Sequence, residues 1–105
     1  MNNDELQFHL VARADEIAPG SGQTIEVNGK QLALFNVAGQ FYAIGNMCPH
    51  RGAALSDGFL SGNKVFCPWH CFDFDLQTGA SDQVPSLSVP TYETKREGDD
   101  IFVRC

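Results

Sequence analysis

Residues 45–79 read GNMCPHRGAALSDGFLSGNKVFCPWHCFDFDLQTG and contain two short clusters of potential metal ligands. The first cluster is Cys48-Pro-His50, and the second is Cys67-Pro-Trp-His70. Each supplies one thiolate and one imidazole, the side chains that bind zinc and iron–sulfur centres in proteins. The pattern therefore predicts one metal site that is built from two loops.

The segments around these clusters are short, apolar and separated by turn residues such as Asn28-Gly29. Such segments are typical of β-strands joined by tight hairpins, and no window shows sustained helical spacing beyond one turn at 13–18. The predicted strands cover residues 8–13, 23–27, 31–37, 41–44, 59–60, 64–66, 72–75, 87–89, 91–95 and 101–104. We expect an all-β, antiparallel sandwich or barrel.

The size and charge of the chain limit its organisation and its partners. At 105 residues and 11.5 kDa it fits one domain over residues 1–105. The net charge of −6 has the wrong sign for nucleic acid and favours a basic protein partner. No apolar run reaches the roughly 18 residues of a membrane span, and residues 1–5 lack the features of a secretory signal. We therefore expect a cytoplasmic protein with no membrane partner.

Four cysteines in a cytoplasmic chain favour metal binding over a disulfide framework. We expect Cys71 to be a buried, small apolar side chain, although a role close to the metal or as an oxidisable thiol stays open. Cys105 is expected in a frayed end segment without a role. His9 lies far from both clusters and is expected to be a strand residue.

The ligand set alone leaves three kinds of site open: an iron–sulfur centre, a structural zinc site and a thiol–imidazole catalytic pair. Zinc modules usually begin with two cysteines spaced C-x2–4-C. A one-residue spacing between Cys48 and His50, with prolines inside both clusters, is unusual for zinc. The spacing therefore favours the iron–sulfur centre.

The pattern C-x-H followed by C-x-x-H resembles the Rieske [2Fe–2S] signature, most strongly over residues 45–79. The same stretch is similar to soluble Rieske ferredoxins and to the small subunit of NAD(P)H-dependent nitrite reductases. The resemblance implies a Rieske-like fold with the cluster-binding loops at one tip and one [2Fe–2S] cluster per chain. It also implies that Cys48 and Cys67 hold the buried iron, and that His50 and His70 hold the outer iron.

This resemblance implies an electron-transfer protein and not an enzyme. We expect a one-electron carrier between a flavoprotein reductase and a terminal oxygenase; the alternatives are a partner of a nitrite reductase large subunit and a zinc-stabilised binding module. The chain has no Gly-rich phosphate loop for a dinucleotide of its own. Only His9 remains after the cluster takes two histidines, so a second, mononuclear iron site is excluded.

The resemblance also bears on the reduction potential. High-potential relatives carry a disulfide between the two cluster loops and hydroxyl groups that donate toward sulfur. Ala53 and Trp69 occupy the positions of those cysteines, and Phe72 and Phe74 occupy those of the hydroxyl side chains. We therefore expect a potential toward the low end of the Rieske range of roughly −150 to +300 mV.

Two further groups of residues have open roles. We expect Trp69, Phe66, Phe72 and Phe74 to shield the site by packing, in preference to forming an electron path. Two cations near the predicted cluster, Arg51 and Lys64, are either ordinary solvated charges or docking contacts.

Overall fold

The computed structural model describes residues 7–48, 53–68, 72–84 and 86–105. Within these ranges the chain forms β-strands and two single turns of 3-10 helix, Ala14–Glu16 and Leu55–Asp57, and it contains no α-helix. The strands are β1 (Phe8–Arg13), β2 (Ser21–Val27), β3 (Lys30–Val37), β4 (Gln40–Gly45), β5 (Phe59–Ser61), β6 (Lys64–Phe66), β7 (Asp73–Asp75), β8 (Thr91–Tyr92), β9 (Thr94–Glu97) and β10 (Asp100–Arg104).

The strands form three antiparallel sheets, with the orders β1-β10-β9, β2-β3-β4-β8 and β5-β6-β7. This architecture confirms the predicted all-β, antiparallel fold. In the described parts of the chain no helix is long and apolar enough to span a membrane. The single domain over residues 1–105 stays a prediction.

The predicted Asn28-Gly29 turn joins β2 to β3. Val27 pairs with Lys30, so the loop has two residues, and both have positive φ, +53° at Asn28 and +78° at Gly29. This is the backbone geometry of a type I′ hairpin, whose twist matches that of the strands it joins. The dipeptide therefore sets the register of the central hairpin.

Strand β3 is buried on both faces and separates two hydrophobic clusters. Leu32 and Leu34 face the first cluster, between the four-stranded sheet and the β1-β10-β9 sheet, whereas Ala33 and Phe35 face the second. The second cluster consists of Ala33, Phe35, Ile44, Cys48, Ala53, Leu55, Val65, Cys67, Phe74, Leu76 and Val89. Both cysteines of the predicted metal site lie in this second cluster.

Two strand predictions are wrong near the C-terminal third of the chain. Residues 87–89 form no strand, because Ser88 makes only an isolated bridge to Ala80 while Leu87 N–H donates back to the Val84 carbonyl. Residues 91–95 are divided at Glu93, since β8 pairs with β4 and β9 pairs with β10 of a different sheet. The chain crosses between the sheets at this point.

The expectation that Cys105 lies in a frayed segment is also wrong. Cys105 is buried against the first hydrophobic cluster, and its N–H donates to the Gln7 carbonyl (3.1 Å). Its own carbonyl accepts from Asn28 Nδ2 at 3.2 Å. His9, by contrast, is a residue of β1 as predicted, with Nε2 at 3.4 Å from Asn28 Nδ2.

Candidate metal centre

The first cysteine lies at the beginning of a short loop with a closed base. Cys48 N–H donates to the Ala53 carbonyl (2.8 Å), and Met47 and Ala54 form a β-bridge just outside that bond. Residues 49–52 complete this loop in the sequence. They include the predicted ligand His50, which lies outside the described residues together with Arg51.

The second cysteine is held in the same way. Cys67 N–H donates to the Phe72 carbonyl (2.8 Å), so in both loops a cysteine N–H bonds the carbonyl five positions further on, from 48 to 53 and from 67 to 72. Strands β6 and β7 form the arms of this hairpin. The predicted ligand His70, with Trp69 and Cys71, lies outside the described residues. The structure thus places two of the four predicted ligands, Cys48 and Cys67, at the first position of two loops that are closed by the same hydrogen-bond pattern.

Burial makes the two sulfur side chains suitable ligands for an inner iron. Cys48 is 1% exposed and Cys67 is 0% exposed, and both belong to the second hydrophobic cluster. An apolar surrounding excludes water that would compete for the metal or hydrolyse the centre, and thiolate is the most common protein ligand of iron in iron–sulfur clusters. The two cysteines therefore fit the buried half of such a cluster. No three His, Cys, Asp or Glu side chains form another metal site within residues 7–48, 53–68, 72–84 and 86–105.

A close backbone approach joins the two loops. Gly58 follows the 3-10 turn after the first loop, and a Cβ at this position would lie 2.3 Å from the carbonyl oxygen of Phe66. Such a distance is impossible without movement of one backbone segment. Because Phe66 directly precedes Cys67, the absence of a side chain at Gly58 allows the first loop to lie against the second.

Asn46 is a positioning residue that the sequence patterns did not indicate. It is buried, and its Oδ1 accepts from Ser56 N–H (2.9 Å) while its Nδ2 donates to Thr24 Oγ1 (3.0 Å). Its backbone carbonyl accepts from Leu55 N–H (2.7 Å). Asn46 therefore fixes both ends of the first loop to each other and to β2, two residues before Cys48. The sequence carries no local signal for this role, because the side-chain partners Thr24 and Ser56 lie on other elements.

Two of the four aromatic residues expected to shield the site, Phe72 and Phe74, pack as predicted, whereas Phe66 is half-buried outside the second cluster and Trp69 lies outside the described residues. Phe74 is fully buried in the second cluster, and Phe72 packs against that cluster while partly exposed. Ala53 belongs to the same cluster. A buried methyl group therefore stands at the position where the resemblance places a cysteine of the inter-loop disulfide in high-potential relatives. Cys48 and Cys67 therefore share one cluster with the apolar side chains of Ala53 and Phe74, and Phe72 packs against that cluster.

Lys64, one of two cations with an open role, forms ion pairs within the protein. Its Nζ lies 3.5 Å from Asp73 Oδ2 and also contacts Asp82. Lys64 is therefore paired with carboxylates of its own chain, while its side chain is still 36% exposed. Two exposed apolar side chains, Met47 at 70% and Phe59 at 63%, were not singled out by the sequence patterns.

Comparison with known proteins identifies one matching family. The family model described as Rieske [2Fe-2S] domain matches residues 7–93. Both cysteines in the closed loops and both predicted histidine ligands lie within this range.

Individual relatives cover most of the chain. The ferredoxin component of the naphthalene 1,2-dioxygenase system of Pseudomonas aeruginosa is 40% identical over 89 residues, which are 84% of this chain and 86% of the relative. A chain assigned as the NADH-dependent nitrite reductase small subunit of Mycobacterium tuberculosis superposes with a TM-score of 0.91 at 28% identity, covering 97% of each chain. A complex of reduced oxygenase and oxidised ferredoxin in carbazole 1,9a-dioxygenase contains a chain that superposes with a TM-score of 0.83 at 28% identity, covering 92% of each.

Proposed function

The chain belongs to the Rieske [2Fe–2S] domain family, and we propose that Cys48, His50, Cys67 and His70 hold its cluster. The observation that carries this assignment is the matched pair of loops, each closed by a cysteine N–H, with both cysteines buried in one hydrophobic cluster. When bound, the cluster takes up and releases one electron at a time. The protein is an electron carrier.

We further propose that the chain is the ferredoxin component of a dioxygenase system. The support is the 40% identity to such a component over most of both chains. The oxygenase is the proposed electron acceptor, as in the complex formed by a relative of 28% identity. A flavoprotein reductase is the proposed donor, and the cytoplasm is the proposed location.

The surface beside the first loop supports docking of a partner with basic groups. Met47, directly before Cys48, is largely exposed and offers an apolar contact. Two exposed acids, Glu26 and Asp57, lie near this loop. Glu26 pairs with Gln31 in the β2–β3 ladder, and the Gln31 carbonyl accepts a hydrogen bond from Asn46 N–H. Asp57 directly follows Ser56, whose N–H donates to Asn46 Oδ1. Together with a net charge of −6, these acids would steer a positively charged surface toward the site.

This proposal is tested by stopped-flow oxidation of the chemically reduced protein by a terminal oxygenase. We expect a second-order rate that falls as salt rises from about 0.01 to 0.5 M, because salt screens charge steering over a Debye length that shrinks from about 30 Å to under 10 Å. The variant Glu26→Gln lacks one of the two exposed acids, so its second-order rate of electron transfer should depend less on salt than that of the wild type. A complete lack of electron transfer to any dioxygenase tested would contradict the assignment.

A nitrite reductase small subunit is the second candidate function. It is favoured by the superposition on the Mycobacterium tuberculosis chain, which covers 97% of this one. A fixed subunit does not need to dissociate, so its reduction would be independent of salt. Stable co-purification with a reductase large subunit, together with a flat salt profile, would select this candidate over the shuttling ferredoxin.

A further inference from the structure

A carboxylate lies almost fully buried at the start of β7. Asp73 is 4% exposed, and its oxygens accept from Ser81 Oγ and from the N–H groups of Asp82 and Gln83, each at 3.3 Å. Lys64 Nζ lies 3.5 Å away. Removing a charge from water is costly unless it gains hydrogen bonds, and these partners supply them. The site is therefore built to hold a carboxylate at this position.

Lys64 neutralises this carboxylate only in part. The lysine is shared with Asp82, whose side chain is 66% exposed, while the side chain of Asp73 is 5% exposed. One cation faces two anions, so the local group keeps a net negative charge. Because Asp73 is the buried member, its field is screened by solvent less than that of an exposed acid.

Strand register places this charge beside the second cysteine loop. Asp73 pairs with Phe66, and paired residues in an antiparallel ladder have Cα atoms about 4.5–5.5 Å apart. Phe66 directly precedes Cys67, and the residue before Asp73, Phe72, accepts the hydrogen bond from Cys67 N–H. Asp73 is therefore the ladder partner of Phe66, which precedes Cys67, and the sequence neighbour of Phe72, which accepts the hydrogen bond from Cys67 N–H.

We propose that Asp73 lowers the reduction potential of the cluster, with Lys64 opposing it. This inference rests on the proposed function, specifically on Cys67 as a ligand. Reduction adds one negative charge to the cluster, and a fixed negative charge nearby makes that addition less favourable. Lys64 weakens the effect by pairing with the carboxylate, so the two residues act on the potential with opposite signs.

The test is a comparison of midpoint potentials by protein-film voltammetry of cluster-loaded wild type, Asp73→Asn and Lys64→Gln. Asp73→Asn should shift the equilibrium toward the reduced form by about tenfold, which is about 59 mV upward for a one-electron couple. Lys64→Gln should shift it in the opposite direction. The control Glu97→Gln removes an acid that is 61% exposed on β9, in the sheet that carries neither cysteine loop, and should change the equilibrium less than twofold.

Other readouts separate charge from structure. Iron content, acid-labile sulfide and the electron paramagnetic resonance spectrum show whether each variant holds an intact cluster, and the thermal midpoint shows how far each substitution destabilises the fold. A purely structural role would make both variants less stable without opposite shifts in potential, which would overturn the proposal, as would an unchanged potential in Asp73→Asn. If Asp73→Asn does not take up the cluster, the potential of Lys64→Gln tests the proposal alone: a downward shift supports it, and an unchanged or higher potential overturns it. Absence of a cluster in the wild type would instead contradict the proposed function.

Discussion

Replacing Asn46 by alanine tests how far the first loop depends on one buried amide. The substitution removes the bond from Nδ2 to Thr24 Oγ1, worth about 1 kcal/mol. It also leaves Ser56 N–H without its acceptor in a partly buried place, at a cost of about 1–3 kcal/mol. Thr24 keeps its bond to Ser56 Oγ (2.7 Å), which limits the loss on that side. The total is a destabilisation of roughly 2–4 kcal/mol.

At about 4 °C per kcal/mol for a domain of this size, the thermal midpoint of Asn46→Ala should fall by roughly 8–16 °C. Unfolding of the cluster-loaded protein is followed by far-ultraviolet circular dichroism and by visible absorbance at one scan rate. Iron release to a chelator should also be faster, because the loop that begins at Cys48 loses its support. The control Asn63→Ala changes an exposed residue of the β5–β6 turn and should stay within about 0.5 kcal/mol. A midpoint within 2 °C of wild type would refute the positioning role.

The remaining predictions concern the ligands, the contact between the loops and the potential. His50→Ala and His70→Ala should each lose or alter the cluster, because removing a ligand opens an iron to water. The control His9→Ala should keep the wild-type visible spectrum. An unchanged spectrum in either ligand variant would show that the wrong residues are named. Gly58→Ala should lower iron retention and the thermal midpoint, because the new Cβ would lie 2.3 Å from the Phe66 carbonyl oxygen; unchanged retention would contradict the tight packing of the two loops. The midpoint potential at pH 7 should lie in the lower part of the range of roughly −150 to +300 mV, and voltammetry giving a value well above zero would contradict it.

Local signals predicted most of the fold. Tight turns have strict backbone requirements, so Asn28-Gly29 alone indicated a two-residue hairpin and with it the pairing of β2 and β3. The turn at residues 61–63 placed β6, and the alternation of apolar and acidic residues at 72–75 placed β7, each within one residue. The ligand pattern at Cys48 and Cys67 likewise follows from local spacing, and the structure places both cysteines in one buried cluster.

Features that depend on distant partners were not predictable. Asn46 bonds Thr24 and Ser56, which lie on different elements, and nothing in its neighbours specifies that arrangement. The sequence indicates that Asp73 is the polar member of an alternating strand, yet it is buried because Lys64 and residues 81–83 contact it from other parts of the chain. Residues 87–89 have strand-like composition, but among the described residues their pairing is limited to a single bridge between Ser88 and Ala80.

The central claim, that this chain carries a Rieske cluster on two cysteines and two histidines, is tested most directly by metal analysis with electron paramagnetic resonance. Protein purified without oxygen should contain about two irons and two acid-labile sulfides per chain. It should be silent when oxidised and paramagnetic after one-electron reduction, with nitrogen couplings from two coordinated imidazoles in pulsed spectra. Stoichiometric zinc without labile sulfide, or a reduced cluster that shows no nitrogen coupling, would contradict the account.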